Sequence, residues 1–282
     1  MRRGHRVRAV VVAAVVLGGA ACTALEPPMA PSSSAPPAAA GRFEVTIAAD
    51  GVVLGGVLHR PDPTNPRPAL VVLHGWLPAG SNGAATVEAR AQRYAADGYV
   101  ALALAMRGWF PSGGADDCGL RQPDDVVRAV EWLRALPGVQ ADRVGLVGFS
   151  QGGQVALLAA ARDARVRAVA AVFPVTDVAR WKASTANADI PGYVTSVCEP
   201  GGITPRSPVT RATSIAAPVL LVHGDADTRV PTEQSVLMRD ALTAAGRRVQ
   251  LFLVPGAQHG FTAAEEAMAR PVIDAFLAAE LR

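Results

Sequence analysis

The tightest constraint on this chain is the run Val144-Gly145-Leu146-Val147-Gly148-Phe149-Ser150-Gln151-Gly152-Gly153. An apolar, β-rich segment leads into Gly148-Phe149-Ser150-Gln151-Gly152, and a helix-forming segment, Val155 to Arg162, follows. A serine held in so short a strand-to-helix turn has a strained backbone, and only small flanking residues avoid a clash. Gly148 and Gly152 meet that demand. Ser150 then projects its hydroxyl at the carboxyl end of a sheet, where open α/β sheets build their sites. Five residues of pattern recur by chance, so the strand and helix around them carry the weight.

The rest of the chain supplies such a sheet. Phe43 to Ile47 and Val52 to His59 read as an opening hairpin turned near Asp50-Gly51. Ala69–Leu73, Tyr99–Ala105, Arg143–Phe149, Val166–Phe173, Val219–His223 and Val249–Val254 are apolar runs of the kind expected for strands covered on both faces. Helical patterns over Thr86–Asp97, Asp124–Leu136, Thr232–Ala245 and Ala263–Leu281 alternate with them. The expected fold is α/β, a doubly wound and mostly parallel eight-stranded sheet with right-handed crossovers. Thr176 to Ala217 is too long for a simple connection and reads as a small cap-like insert with one or two short helices.

The amino terminus reads differently. Arg2, Arg3, Arg6 and Arg8 precede an apolar stretch, Ala9 to Ala21, the layout of a secretory signal over residues 1–21. The stretch is shorter than the roughly 20 residues a membrane span needs. Gly19-Ala20-Ala21-Cys22 resembles a bacterial lipobox with Gly19 in place of the usual leucine, which makes Cys22 the candidate lipidation site. Residues 22–41, rich in Pro, Ala and Ser, read as a tether, and residues 42–282 as one domain. The expected location is outside the cytoplasm, membrane-anchored through a lipid on Cys22 or else secreted. Taking the four leader arginines from the 27 basic residues leaves one fewer than the 24 acidic ones, so no basic patch points to nucleic acid. Beyond Cys22 only Cys118 and Cys198 remain, a pair expected to form a disulfide in an oxidising compartment.

A serine hydroxyl needs a base to take its proton and an acid to orient that base. His223-Gly224-Asp225-Ala226-Asp227 follows one strand, and Gln258-His259-Gly260 follows the last. Ser150, then an aspartate, then His259 is the chain order of a serine triad on an α/β sheet. An oxyanion needs two backbone N–H donors. Gln151, directly after the serine, supplies one, and the loop after Leu73-His74-Gly75 the other, from Trp76 or from Leu77 one residue on. Trp109 and Phe110, after a strand, and Trp181, in the insert, are candidate pocket residues. Arg107 reads as holding loop structure, and Asp116-Asp117 as a solvated acidic loop rather than a metal site. No metal and no cofactor is expected.

With these residues in place the chain resembles the α/β-hydrolases, close to the dienelactone hydrolase and prolyl oligopeptidase-type branches, over roughly Phe43 to Leu281. The resemblance rests on Leu73-His74-Gly75, Gly148-Phe149-Ser150-Gln151-Gly152-Gly153, Ser207-Pro208, Pro218-Val219-Leu220-Leu221-Val222-His223-Gly224-Asp225-Ala226-Asp227 and Gln258-His259-Gly260-Phe261, in that order. It implies Asp227 as the triad acid, with Asp225 the alternative as a loop-stabilising residue, and His259 as general base. It implies structural roles for His74 and His223, which bond loop backbone. Dienelactone hydrolases carry cysteine where this chain has Ser150, so their lactone substrate is not carried over. The expected activity is hydrolysis of a small-molecule carboxylic ester through an acyl-enzyme. The rivals are a peptidase of the prolyl oligopeptidase type, which the Ser207-Pro208 stretch favours, acyl transfer to an alcohol, and a tethered binding protein with a disused site.

Overall fold

The computed structural model describes Met1, residues 33–34 and residues 39–282. Apart from Met1, the leader lies outside the described residues, as do Cys22 and most of the 22–41 segment. Eight strands build one sheet: β1 (Gly41–Ala49), β2 (Val52–Arg60), β3 (Arg67–Leu73), β4 (Val100–Leu104), β5 (Val139–Phe149), β6 (Ala168–Val172), β7 (Val219–Gly224) and β8 (Val249–Val254), in the order β1-β2-β4-β3-β5-β6-β7-β8. β1 and β2 form the expected hairpin, with Gly51 at φ 68° in its turn. β2 pairs antiparallel with β4, and every pairing from β4 to β8 is parallel. β1 is an edge strand, and part of its free side is occupied: Ser34 N–H donates to Thr46 O at 2.8 Å, and Ser33 Oγ accepts from Ala48 N–H.

The continuous apolar runs are explained by cover on both faces. Alternate residues of one strand enter different cores: Val71 and Leu73 of β3 join Leu102, Leu146 and Leu221, whereas Leu70 and Val72 join Ala103, Val147 and Val222. Helices α2 (Gln122–Arg134), α3 (Gln151–Arg162) and α6 (Glu233–Ala244) close the first core through Val130, Leu133, Val155, Leu157, Met238 and Leu242. Helices α1 (Gly83–Ala96) and α7 (Ala263–Leu281) close the second through Val87, Ala91, Ile273 and Leu277. Asn82 caps α1 by accepting from Ala85 N–H, and a capping box between Thr262 and Glu265 starts α7.

Between β6 and β7 the insert holds α4 (Val178–Ser184), α5 (Ile190–Tyr193), a π turn at Val194–Cys198 and two short 3₁₀ turns. It has a small core of its own, in which Trp181, Ile190 and Val194 pack with Cys118, Cys198 and Val230. Cys118 and Cys198 are disulfide-bonded, with Cα atoms 5.2 Å apart, and so join the insert to the loop after β4. Arg206, buried, donates from its guanidinium to the carbonyls of Asp117, Pro200 and Gly202, fixing the same two segments by backbone.

Candidate active site

β5 delivers Ser150 at the head of α3 with φ 53° and ψ −118°, a backbone region that favours glycine. The glycine requirement is steric. A Cβ on Gly148 would lie 2.2 Å from Gly152 O, and one on Gly152 would lie 2.4 Å from His74 O. Ser150 N–H is tied to Val172 O at 2.9 Å, so the turn is braced by the neighbouring strand.

Ser150, His259 and Asp227 lie in hydrogen-bonded series. Asp227 Oδ2 is 2.7 Å from His259 Nδ1, and His259 Nε2 is 3.1 Å from Ser150 Oγ. A carboxylate only accepts, so Nδ1 carries the ring proton and Nε2 turns a lone pair to the serine hydroxyl. Burial pushes the Asp227 carboxyl up. Hydrogen bonds from His223, His259 and the Val230 N–H outweigh it and hold the group well below the usual carboxylate range. Asp227 Oδ1 also accepts from Arg229 N–H and Val230 N–H, both at 2.9 Å, so its rotamer is set by the loop that follows β7. Asp225 faces elsewhere and accepts from Gly256 N–H at 2.6 Å, a link between the β7 and β8 loops.

The loop after β3 passes over the serine: a Cβ on Gly75 would lie 3.2 Å from Ser150 Cβ. Trp76 and Gln151 line the cavity that Ser150 opens into, a space of about 160 Å³ shared with Phe149, Phe173, Trp181, Ile190, Arg229 and His259. Such a set can generate a nucleophile, relay its proton and offer backbone donors to a developing oxyanion. Among the described residues no group of three or more His, Cys, Asp or Glu side chains is placed to hold a metal ion.

His74 and His223 are buried and engage loop groups. Met106 N–H donates to His74 Nε2 at 2.9 Å, so Nδ1 bears the proton and donates to Gly75 O. Burial lowers the His74 pKa to about 4. His223 Nε2 lies 2.8 Å from Val230 O and Nδ1 2.7 Å from Ser235 Oγ. Arg107 holds Asp125 through both carboxylate oxygens, at 2.8 and 2.6 Å, and donates to Asp50 O.

Three readings need correction. Trp109 does not line the cavity. It is buried behind the β3 loop, with its indole N–H on Leu77 O at 3.0 Å and its ring edge-on to His74. Phe110 is not there either: its carbonyl accepts from Gly83 N–H, while its side chain is 62% exposed to solvent. Only Trp181 of the three candidates reaches the cavity. The Asp116-Asp117 pair is not a solvated loop. Asp116 accepts from Cys118 N–H, Gln122, Gln151 and Tyr193, and burial raises its pKa against those bonds. Asp117 accepts from the backbone of Leu120 and Arg121.

Sequence reasoning missed Phe149, Phe173, Ile190, Tyr193 and Arg229. Phe149 is the free position of the elbow, and Arg229 stands two residues past Asp227, so motif spacing pointed at both. Phe173 directly follows β6, the strand beside β5, at φ 40°, with its ring 4.7 Å from that of His259. Ile190 and Tyr193 come from the irregular insert, whose pattern assigned them no face.

A family model described as the prolyl oligopeptidase family matches residues 85–279. A Yersinia pestis protein named "Putative carboxymethylenebutenolidase" is 27% identical over 236 residues, which are 78% of this chain and 78% of that one. The fold is shared with the acylaminoacyl peptidase of Pyrococcus horikoshii (TM-score 0.73, 21% identity, 86% of this chain). This chain spans only 42% of that peptidase. It is shared also with acetyl xylan esterase 1 from Thermoanaerobacterium (TM-score 0.67, 21% identity), with 87% of this chain and 85% of the esterase covered.

Proposed function

The chain belongs to the prolyl oligopeptidase family of serine hydrolases, and from that premise we propose that it hydrolyses small carboxylic esters through an acyl-enzyme on Ser150. The hydrogen-bonded series from Asp227 through His259 to Ser150 is the observation that carries this reading. Ser150 Oγ attacks the ester carbonyl as His259 Nε2 takes its proton. The imidazolium, balanced by Asp227, returns that proton to the departing alkoxide. Water then repeats the sequence on the acyl-enzyme and releases the acid. The backbone N–H groups of Gln151 and Trp76 receive the oxyanion in each half, a contribution of about 3 kcal/mol per donor to the transition state. No cofactor enters this chemistry.

A small group beside the scissile bond is favoured by the cavity. At about 160 Å³, walled by the rings of Trp76, Phe149, Phe173 and Trp181, it suits a short acyl or alkoxy group. The basic and apolar leader and the Cys118–Cys198 bond support export, as does the candidate lipid site at Cys22. Mass spectrometry after a fluorophosphonate probe, with p-nitrophenyl acetate and a peptidyl p-nitroanilide assayed in parallel, tests the reading. One adduct on Ser150 is expected, with ester turnover that falls at least a thousandfold in Ser150→Ala. Faster release from the anilide shifts the assignment to a peptidase. Folded chain without an adduct leaves a tethered binding protein.

A further inference from the structure

Gln151 serves the site twice. Its backbone N–H opens α3 beside Ser150, while its side chain runs inward and is buried. Gln151 Nε2 donates to Asp116 Oδ1 at 2.8 Å and to the Tyr193 hydroxyl at 3.2 Å. The same hydroxyl donates to Asp116 Oδ2 at 2.7 Å. Gln122 Nε2 and Cys118 N–H complete the ring of donors around Asp116, at 3.1 and 3.0 Å. On its other side the Tyr193 ring meets Trp76, with centroids 5.8 Å apart, and then Trp181 at 6.2 Å. Trp76 and Gln151 are the two residues whose N–H groups face the reacting carbonyl in the proposed mechanism. Tyr193 therefore touches the support of both, although it comes from the insert and neither of them does.

A tie between loops needs none of this polarity. Burying a carboxylate costs free energy that its hydrogen bonds only offset, and apolar residues of similar size would join the same segments as firmly. What the polar ring adds is direction. Asp116 accepts on both oxygens, so the Gln151 amide and the Tyr193 hydroxyl each have one favourable geometry. The disulfide lies two residues after Asp116 and five after Tyr193, and holds the two halves of the ring in register.

We propose that Tyr193 and Asp116 are positioning residues for the oxyanion site, setting the Gln151 N–H through its side chain and the Trp76 N–H through its indole. The proposal rests on the serine hydrolase reading above. Neither residue touches substrate. Their effect belongs to the transition state, where donor placement within about half an ångström matters, and not to ground-state binding.

The test compares Tyr193→Phe, Asp116→Asn and Gln151→Ala with the unaltered chain, using p-nitrophenyl acetate and a trifluoromethyl ketone analogue. Gln151→Ala keeps the backbone donor and removes the link. Each variant should lose about tenfold or more in kcat, with KM within threefold. The inhibition constant of the ketone, which forms the tetrahedral oxyanion, should rise in parallel. Asp116→Asn combined with Gln151→Ala should lose less than the product of the single losses, because both break one link. Fluorophosphonate titration counts active sites, so that a misfolded fraction, which lowers kcat and leaves the inhibition constant alone, is recognised as such. Tyr193→Phe retains the ring packing and carries the test if Asp116→Asn does not fold. Unchanged ketone binding in folded Tyr193→Phe and Gln151→Ala, with the unaltered chain active, overturns this inference alone. An unaltered chain that neither labels nor turns over overturns the hydrolase reading and this inference with it.

Discussion

His74 shows what a single buried side chain settles here. It accepts from Met106 N–H and donates to Gly75 O, so it fixes the loop over Ser150 in its neutral form. Burial lowers its pKa from the free value of 6.5 to about 4. Between those limits the unfolded chain binds a proton that the folded chain refuses, so stability falls as pH drops below about 6.5. The loss reaches about 3 kcal/mol near pH 4. Asp116 and Asp125, whose pKa values burial raises, push the opposite way over the acid range. The contrast is therefore best read against His74→Gln, whose urea midpoint should fall less between pH 7 and pH 5 than that of the unaltered chain. Equal falls would remove His74 from the account. That this histidine bonds backbone was implied by the resemblance to the α/β-hydrolases, not by the residues alone. Its support of the cavity through Trp109 was implied by neither: a tryptophan after a strand reads equally well as pocket wall or as packing, and the indole N–H on Leu77 O decides it.

The strand-to-helix elbow is where sequence and structure agree most closely, because its constraint is local. Two glycines and a serine at a fixed spacing leave the backbone one arrangement. Gly152→Ala places a Cβ 2.4 Å from His74 O, an atom held by the β3 segment and not free to move. The substitution should destabilise by about 3 kcal/mol and take ester turnover with it, read by thermal unfolding and kcat. Gly246→Ala is the control, since a Cβ there has open space and only its φ of 67° to oppose it. The apolar runs marked β3, β4, β6 and β7 through burial on both faces, whereas β1 and β2 showed as an alternating hairpin. The insert resisted reading because its segments answer to distant partners. Tyr193 is placed by Asp116 and Trp76, and Arg206 by the Asp117 carbonyl, 89 residues away in sequence. No periodicity records such contacts.

At the scale of the molecule, the Cys118–Cys198 bond closes a loop of 80 residues that contains β5, Ser150 and β6. In the chain-entropy view such a closure contributes about 4 kcal/mol. Reduction with dithiothreitol should lower the melting temperature by several degrees and slow ester turnover. Melting that does not respond would mean the bond contributes little net stability. Support is also uneven across the sheet. β3 and β5 sit in the middle with strands on both sides, whereas β8 is an edge strand whose side chains are mostly half-buried or exposed. The serine rises from the centre of this sheet, but the histidine hangs from its rim, on a short span between Gly256 and Gly260, both with positive φ. Edges open more readily than centres. On gentle warming the imidazole should swing away from Ser150 while the sheet stays folded, so activity should fade at a lower temperature than the circular dichroism. Heat would disarm this protein before it melts it, and cooling from that interval should restore the activity in full.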